Sequence, residues 1–223
     1  MEDPVISSPG ALSSRFAAVY TGALADVLDE LGLRRQTLPP EIVPLAAGMH
    51  VAGYAFAVEG RTNHSIGREA SMRRILEMLG SVPAGHVAVY QPGDDTCAHF
   101  GELSATSLRV HECAGVVIDG GCRDVAAIRE TGLPVFARYR TPRDAVGRWE
   151  VLRWGHSIAV GDVRVRTGDF IVGDADGVVV IPRERIPTVL ELAESLVGTE
   201  NEIREAVRQG MKPLDAYDRF GKF

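Results

Sequence analysis

The chain has 223 residues, of which 45% are hydrophobic and 24% charged, with 24 glycines scattered along it; this is the composition of a globular protein, long enough for one domain with a sizeable core and short for two. With 24 Lys+Arg against 30 Asp+Glu and a net charge of −6, nothing favours binding a phosphate backbone over a broad surface, so nucleic acid is not an expected partner. No apolar run reaches the roughly 18 residues of a membrane span, and Met1-Glu2-Asp3-Pro4 lacks the basic and apolar regions of a secretory signal, so no membrane partner and a cytoplasmic location are expected.

From Ser14 to Gly32, Phe16, Tyr20, Leu24, Val27, Leu28 and Leu31 recur at helical spacing, and Gly32 supplies a stop, which predicts one amphipathic helix. Pro39, Pro40 and Pro44 break the chain before a β-rich run from His50 to Val58; Ser65 to Leu79 then reads as helix and His86 to Gln91 as strand. A small-residue helix is expected around Ala98 to Glu112. Gly115-Val116-Val117-Ile118-Asp119 is a continuous apolar run of the kind buried on both faces of a sheet, ended by Gly120 and Gly121. A short helix from Asp124 to Thr131 and a strand from Leu133 to Ala137 complete a strand, helix, strand unit, the clearest α/β signal in the chain. Between Ile158 and Ile181, short β-rich stretches alternate with Gly161-Asp162, Gly168-Asp169 and Asp174-Ala175-Asp176-Gly177, the turn chemistry of antiparallel hairpins. Pro187 opens a long helix to about Gln209, with Val189, Ala193, Leu196, Ile203 and Val207 on one stripe.

The most informative segment for chemistry is Asp119-Gly120-Gly121-Cys122-Arg123-Asp124, between the C-terminal end of a buried strand and the start of a helix, where open α/β sheets bind ligands. Paired glycines let backbone approach a ligand, Arg123 can clamp a carboxylate in bidentate fashion, and Asp124 offers hard oxygen ligands to a divalent cation. The alternative is that Asp124 is an N-cap and Arg123 a surface residue. In His99-Phe100-Gly101-Glu102-Leu103 a glycine precedes a probable helix start, whose free amides can bind a substrate carboxylate; Glu102 also reads as an ordinary dipole-compensating residue. Glu200 falls in the apolar stripe of the last long helix and needs a partner: either Arg204, four residues on, or the site of another subunit against which this helix packs.

Only Lys212 and Lys222 are lysines, both in the last dozen positions. Schiff-base aldolases, pyridoxal-phosphate enzymes and P-loop enzymes need a lysine fixed in a pocket, so a carbonyl substrate here requires another electrophile. Cys97, Cys113 and Cys122 show no C-x-x-C spacing, which argues against a disulfide scaffold and a cysteine zinc site. Six histidines form no H-E-x-x-H or comparable pair, and Cys122 reads as a buried small residue rather than a nucleophile. Neither a G-x-G-x-x-G fingerprint nor a G-x-S-x-G elbow occurs.

The ordered set Gly101-Glu102-Leu103, Gly115-Val-Val-Ile-Asp-Gly120, Arg123-Asp124, Gly132-Leu-Pro-Val-Phe136 and Gly173-Asp-Ala-Asp-Gly-Val178 resembles the family that joins the regulator of ribonuclease activity A (RraA) to the 4-hydroxy-4-methyl-2-oxoglutarate/4-carboxy-4-hydroxy-2-oxoadipate aldolases. The resemblance runs from near Asp26 to near Tyr217. It implies an α/β/β/α sandwich of the swivelling-domain type spanning residues 1–223 as a single domain, its helical tail from about 187 packing on a neighbouring subunit of a homotrimer or a dimer of trimers. It further implies a metal-dependent pyruvate aldolase with oxaloacetate decarboxylase side activity: Asp124 ligating Mg²⁺ or Mn²⁺, Arg123 holding the pyruvyl group of a 2-oxo acid, and amides around Gly101, Glu102 and Leu103 binding its carboxylate. Glu200 resembles the carboxylate donated from a neighbouring subunit toward the metal's outer shell. This agrees with the scarcity of lysine, because a chelated divalent cation replaces an iminium as electron sink. The aldolases carry Asp or Glu three residues after the Arg-Asp pair, where this chain has Ala127; Glu130 lies on a different helix face, leaving Glu102 as the candidate replacement. The segment from Arg143 to His156, with Trp149 and Trp154, also departs from the family and is a candidate to reshape the pocket. The alternative function within the same resemblance is a non-catalytic regulator that inhibits a ribonuclease by contact; a methyltransferase is disfavoured because no nucleoside-binding strand-turn-helix appears near the start.

Overall fold

A computed structural model describes residues 9–223; Met1-Glu2-Asp3-Pro4 lies outside the described residues. Apolar periodicity continuous from Phe16 to Leu31 is split by the structure into two helices, α1 (Pro9–Ala17) and α2 (Thr21–Glu30), rather than the single helix expected. The cause is a distant carboxylate: Asp174 accepts hydrogen bonds from the Thr21 amide (2.8 Å) and hydroxyl (2.7 Å), capping α2 from a loop 153 residues away. Tyr20 is thereby held extended.

The following chain lays down β1 (Val43–Pro44), β2 (Val51–Thr62), α3 (Arg68–Leu79), β3 (His86–Gln91), β4 (Ala98–Phe100), α4 (Glu102–Val110), β5 (Gly115–Cys122), α5 (Val125–Thr131) and β6 (Val135–Arg140). Strands β2, β3, β5 and β6 are parallel neighbours, each joined to the next by a helical crossover, as parallel pairing requires. Two boundaries differ from expectation. The helix expected from Ala98 begins only at Glu102, because Ala98 and Phe100 pair with the end of β5. That strand in turn runs through Gly120 and Gly121 instead of stopping there. A Cβ on Gly120 would lie 2.7 Å from His99 Nδ1, and one on Gly121 would collide with the Cys97 carbonyl and the Tyr139 ring. The paired glycines therefore admit protein groups rather than a ligand.

Beyond β6 come β7 (Trp149–Trp154), antiparallel to the end of β2, the hairpin β8 (Ser157–Val160) and β9 (Val163–Arg166), and the hairpin β10 (Phe170–Gly173) and β11 (Val178–Ile181). β10 joins the main sheet beside β2. Helix α6 (Ile186–Arg208) and α7 (Pro213–Phe220) close the chain.

Burial alternates along the strands in a way that defines four layers. Val116 and Ile118, Ala88 and Tyr90, and Val135 and Ala137 pack with Met78, Leu108 and Ile128 of the helices α3, α4 and α5. The intervening Val117, Val87, Val89 and Phe136 face a second core shared with Ile171, Val178, Val180 and the β8–β9 hairpin. On the far side, Val172, Val179 and Ile181 pack with α1, α2 and the first half of α6. Helix, sheet, sheet, helix is the α/β/β/α sandwich, and strands buried on both faces explain why they read as continuous apolar runs. Val189, Ala193 and Leu196 of α6 are committed to this chain's own core. Among the described residues no helix is long and apolar enough to cross a membrane.

Candidate active site

Three chain segments meet at the C-terminal ends of β4 and β5: the bend into α4, the bend into α5, and the β6–β7 connection. Around them lies a pocket of about 290 Å³ lined by residues including Gly101, Glu102, Leu103, Arg123, Asp124 and Asp144. Met72, Ile75 and Leu76 of α3, with Ala145 and Val146, make its apolar wall.

The Arg123 amide donates to the Phe100 carbonyl at 3.0 Å, which locks the start of the β5–α5 bend to β4. Asp124 follows in the left-handed region, φ 57°, a conformation uncommon outside glycine and asparagine. Its side chain makes no capping bond to its own helix α5. Instead Asp124 Oδ2 faces the start of α4, 3.4 Å from the Glu102 amide and 3.5 Å from Arg123 Nε. Both contacts are long, so most of the acceptor capacity of this exposed carboxylate is unused. The simple N-cap reading of Asp124 is thus set aside by the geometry. Gly101 makes the approach possible, because a Cβ there would stand 2.8 Å from Asp124 Oδ2.

Arg123 lies between two acids, with Nη1 3.4 Å from Asp144 Oδ1. Asp144 was not singled out by motif, since it sits in a connection with no periodicity; only the departure of the Arg143–His156 segment signalled it. Trp149 of that segment is fully buried, its indole donating to the Pro92 carbonyl at 2.9 Å, and it anchors the connection that delivers Asp144, Ala145 and Val146. Glu102 is held within its own helix by the Thr106 hydroxyl at 2.7 Å. The first-turn amides of α4 lack intrahelical acceptors, as at any helix start, and open on the pocket with an anion-favouring dipole. Leu103, 81% exposed, stands at the rim.

Glu200 does not line this pocket; it lies 3.9 Å from Arg204, the pairing its spacing permits. Ala127, half-buried on α5, brings no oxygen donor. His99 borders the pocket but both ring nitrogens point inward, Nδ1 accepting from the Gly121 amide at 3.3 Å and Nε2 lying 3.4 Å from Asp94. Burial pushes its pKa down to about 4, so it is neutral near pH 7 and carries no proton to the pocket. Burial pushes the Cys122 thiol up to about 12, which removes it as a nucleophile.

An exposed carboxylate with free lone pairs, two further acids and no soft donor at the rim make a set suited to a hard divalent cation. The arrangement offers one cation site, one guanidinium and one row of amides around a space that fits a small dicarboxylate.

The chain belongs to the RraA-like family, whose Aldolase/RraA model matches residues 21–180. A protein of Halalkalibacterium halodurans named "Putative 4-hydroxy-4-methyl-2-oxoglutarate aldolase" is 28% identical over 208 residues, covering 92% of each chain. Among solved structures, a chain described as one of the "novel cellulases from microbes associated with the gut ecosystem" superposes with a TM-score of 0.84 at 33% identity over 90% of each chain. RraAS2 of Streptomyces coelicolor, described as an unusual member of the RNase ES inhibitor RraA protein family, superposes with a TM-score of 0.77 at 26% identity, over 92% of this chain and 98% of that one.

Proposed function

We propose that the protein is a divalent-metal-dependent carbon-carbon lyase that cleaves a 4-hydroxy-2-oxo acid to pyruvate and decarboxylates oxaloacetate as a side activity. The observation that carries the reading is the Arg123 and Asp124 pair, held at the mouth of a pocket whose opposite rim is the amide-rich start of α4. Asp124, with Glu102 nearby, would hold Mg²⁺ or Mn²⁺; the bound cation supplies the Lewis acidity that stabilises the charge developing on the 2-oxo group. Arg123 binds the pyruvyl oxygens and shares that charge. The amides of Gly101, Glu102 and Leu103 orient the substrate carboxylate, and the wall of Met72, Ile75 and Leu76 excludes water from the cleaved bond. Glu102 stands in for the acid that Ala127 does not provide.

The reading includes assembly as a homotrimer or dimer of trimers, in which Glu200 of the partner subunit reaches the metal's outer shell and the tail from about residue 187 seals the site. The exposed second half of α6 and the apolar rim residues Met72, Leu76 and Leu103 support such a contact. Three free, buried thiols fit a reducing cytoplasmic setting. A cellulase role is not supported, because Asp124 and Asp144 both attend Arg123 instead of flanking a bond as separate acid and base.

The test is pyruvate release from 4-hydroxy-4-methyl-2-oxoglutarate and from oxaloacetate, with Mg²⁺, Mn²⁺ or chelator. Turnover above the metal-only blank supports the lyase. Its absence on both compounds, together with salt-sensitive binding and inhibition of a ribonuclease, would establish the non-catalytic regulator shared by the RraA branch.

A further inference from the structure

Behind the pocket wall, the β3–β4 loop gathers three donors of different chemistry: Asp94, Cys97 and His99. Cys97 Sγ lies 3.2 Å from Asp94 Oδ1 and 3.6 Å from His99 Nε2, and His99 Nε2 lies 3.4 Å from Asp94 Oδ1. A tetrahedral zinc ion bound to one sulfur, one nitrogen and one oxygen sets its ligands about 3.3 to 3.6 Å apart, from bonds of roughly 2.3, 2.0 and 2.0 Å. The triangle of donors therefore already has nearly the size of one face of that tetrahedron.

Charge gives a second, independent argument. The Asp94 and His99 side chains are fully buried, and among the described residues His99 is the only basic group within ion-pair distance of Asp94. Burial keeps that imidazole neutral, so the carboxylate is enclosed without a cation, supported only by hydrogen bonds from Thr62, Thr96 and Cys97. Enclosed charges are ordinarily paired or bound to a metal. The support also preorganises the set. The Thr96 and Cys97 amides fix the carboxylate, and the Gly121 amide fixes the imidazole by its Nδ1, leaving Nε2 aimed at the other two donors. Residue Asp94 also borders a surface cleft shared with Thr62, Asp95 and Arg138, a route in from solvent.

We infer that Asp94, Cys97 and His99 form a binding site for a zinc-like transition cation, separate from the Asp124 site and structural in role. On binding, the Cys97 thiol proton leaves to solvent and the thiolate, carboxylate and neutral imidazole balance the dication. The ion staples the loop that leads directly through His99 and Phe100 to Gly101, and so fixes the wall of the pocket. Sulfur and imidazole donors select this class of cation, whereas the all-oxygen rim at Asp124 selects a harder one.

Co²⁺ is the probe. Titrated into chelator-treated full-length protein, it gives a near-ultraviolet thiolate-to-Co²⁺ charge-transfer band with intense visible bands of tetrahedral coordination, saturating at one ion per chain and displaced by Zn²⁺. The charge-transfer band is lost in Cys97→Ser and kept in Cys122→Ser and Asp124→Ala. X-ray absorption of the zinc-loaded wild type, which needs no variant, shows one sulfur among light-atom ligands. Absence of the band in wild type, its survival in Cys97→Ser, or a zinc shell without sulfur overturns the inference.

Discussion

Gly101 and Asp124 touch across two helix starts: a Cβ on residue 101 would stand 2.8 Å from Asp124 Oδ2. Gly101 is extended, with φ −149°, so alanine there meets no backbone strain. The atom it displaces is the free end of a side chain, and the fold gives way by less than about 1 kcal/mol, below the usual cost of overpacking. Gly101→Ala therefore leaves the unfolding midpoint nearly unchanged while Mn²⁺ affinity at the Asp124 site falls roughly tenfold, the scale on which a disturbed metal environment acts. Calorimetric titration beside thermal unfolding separates the two; a large stability loss with unchanged affinity would reverse the assignment.

Asp144 holds Arg123 from the side away from Asp124. The pair is partly solvated, and such pairs are worth about 0.2–1 kcal/mol, so Asp144→Asn raises KM for the 2-oxo acid by about two- to fivefold with little change in kcat. The double variant with Arg123→Ala should be no worse than Arg123→Ala alone. Additive losses would show that Asp144 acts independently of the guanidinium.

Asp174 is placed by the fold, not by chemistry. Asp174→Ala strips the cap from α2 and leaves the buried Thr21 amide and hydroxyl without their acceptor, which costs about 2 kcal/mol. Denaturant unfolding measures it, with no accompanying loss of metal affinity expected.

How much of this was legible in sequence depends on whether the cause was local. β3 and the Gly115–Ala137 unit follow from apolar runs and turn residues, and the structure places them close to the expected limits. The break between α1 and α2 does not, because its cause, Asp174, is 153 residues away. Gly120 and Gly121 carry the same lesson: glycine signals a close approach, but only the fold tells whether a ligand or a neighbouring side chain makes it. At the site, Arg123-Asp124 and Gly101-Glu102-Leu103 are marked by helix-start chemistry and converge on one pocket, whereas Asp144 and the Asp94, Cys97 and His99 group lie in irregular loops, where spacing carries no directional information.

The buried thiols give a pH prediction. Burial raises the Cys113 thiol above its usual value near 9, so the folded state resists an ionisation that the unfolded chain permits. This contribution is fully present below about pH 9 and declines as pH rises through the higher folded value, because the native state then binds more protons than the unfolded one. Cys113→Ala should flatten the alkaline loss of stability. Correspondingly, a disulfide reagent should modify Cys113 slowly in the native protein and rapidly in guanidinium; fast native modification would contradict its burial.

The most direct test of the account is the dependence of pyruvate formation from 4-hydroxy-4-methyl-2-oxoglutarate on Mg²⁺ concentration, in wild type and in Asp124→Asn. The account predicts saturable activation in wild type, abolished by chelator, and a loss of activation in the variant of at least the 10 to 100-fold typical of disturbing a metal's supporting shell. Equal activation in both proteins, or turnover that persists in chelator, would contradict the claim that Asp124 holds the cation on which the reaction depends.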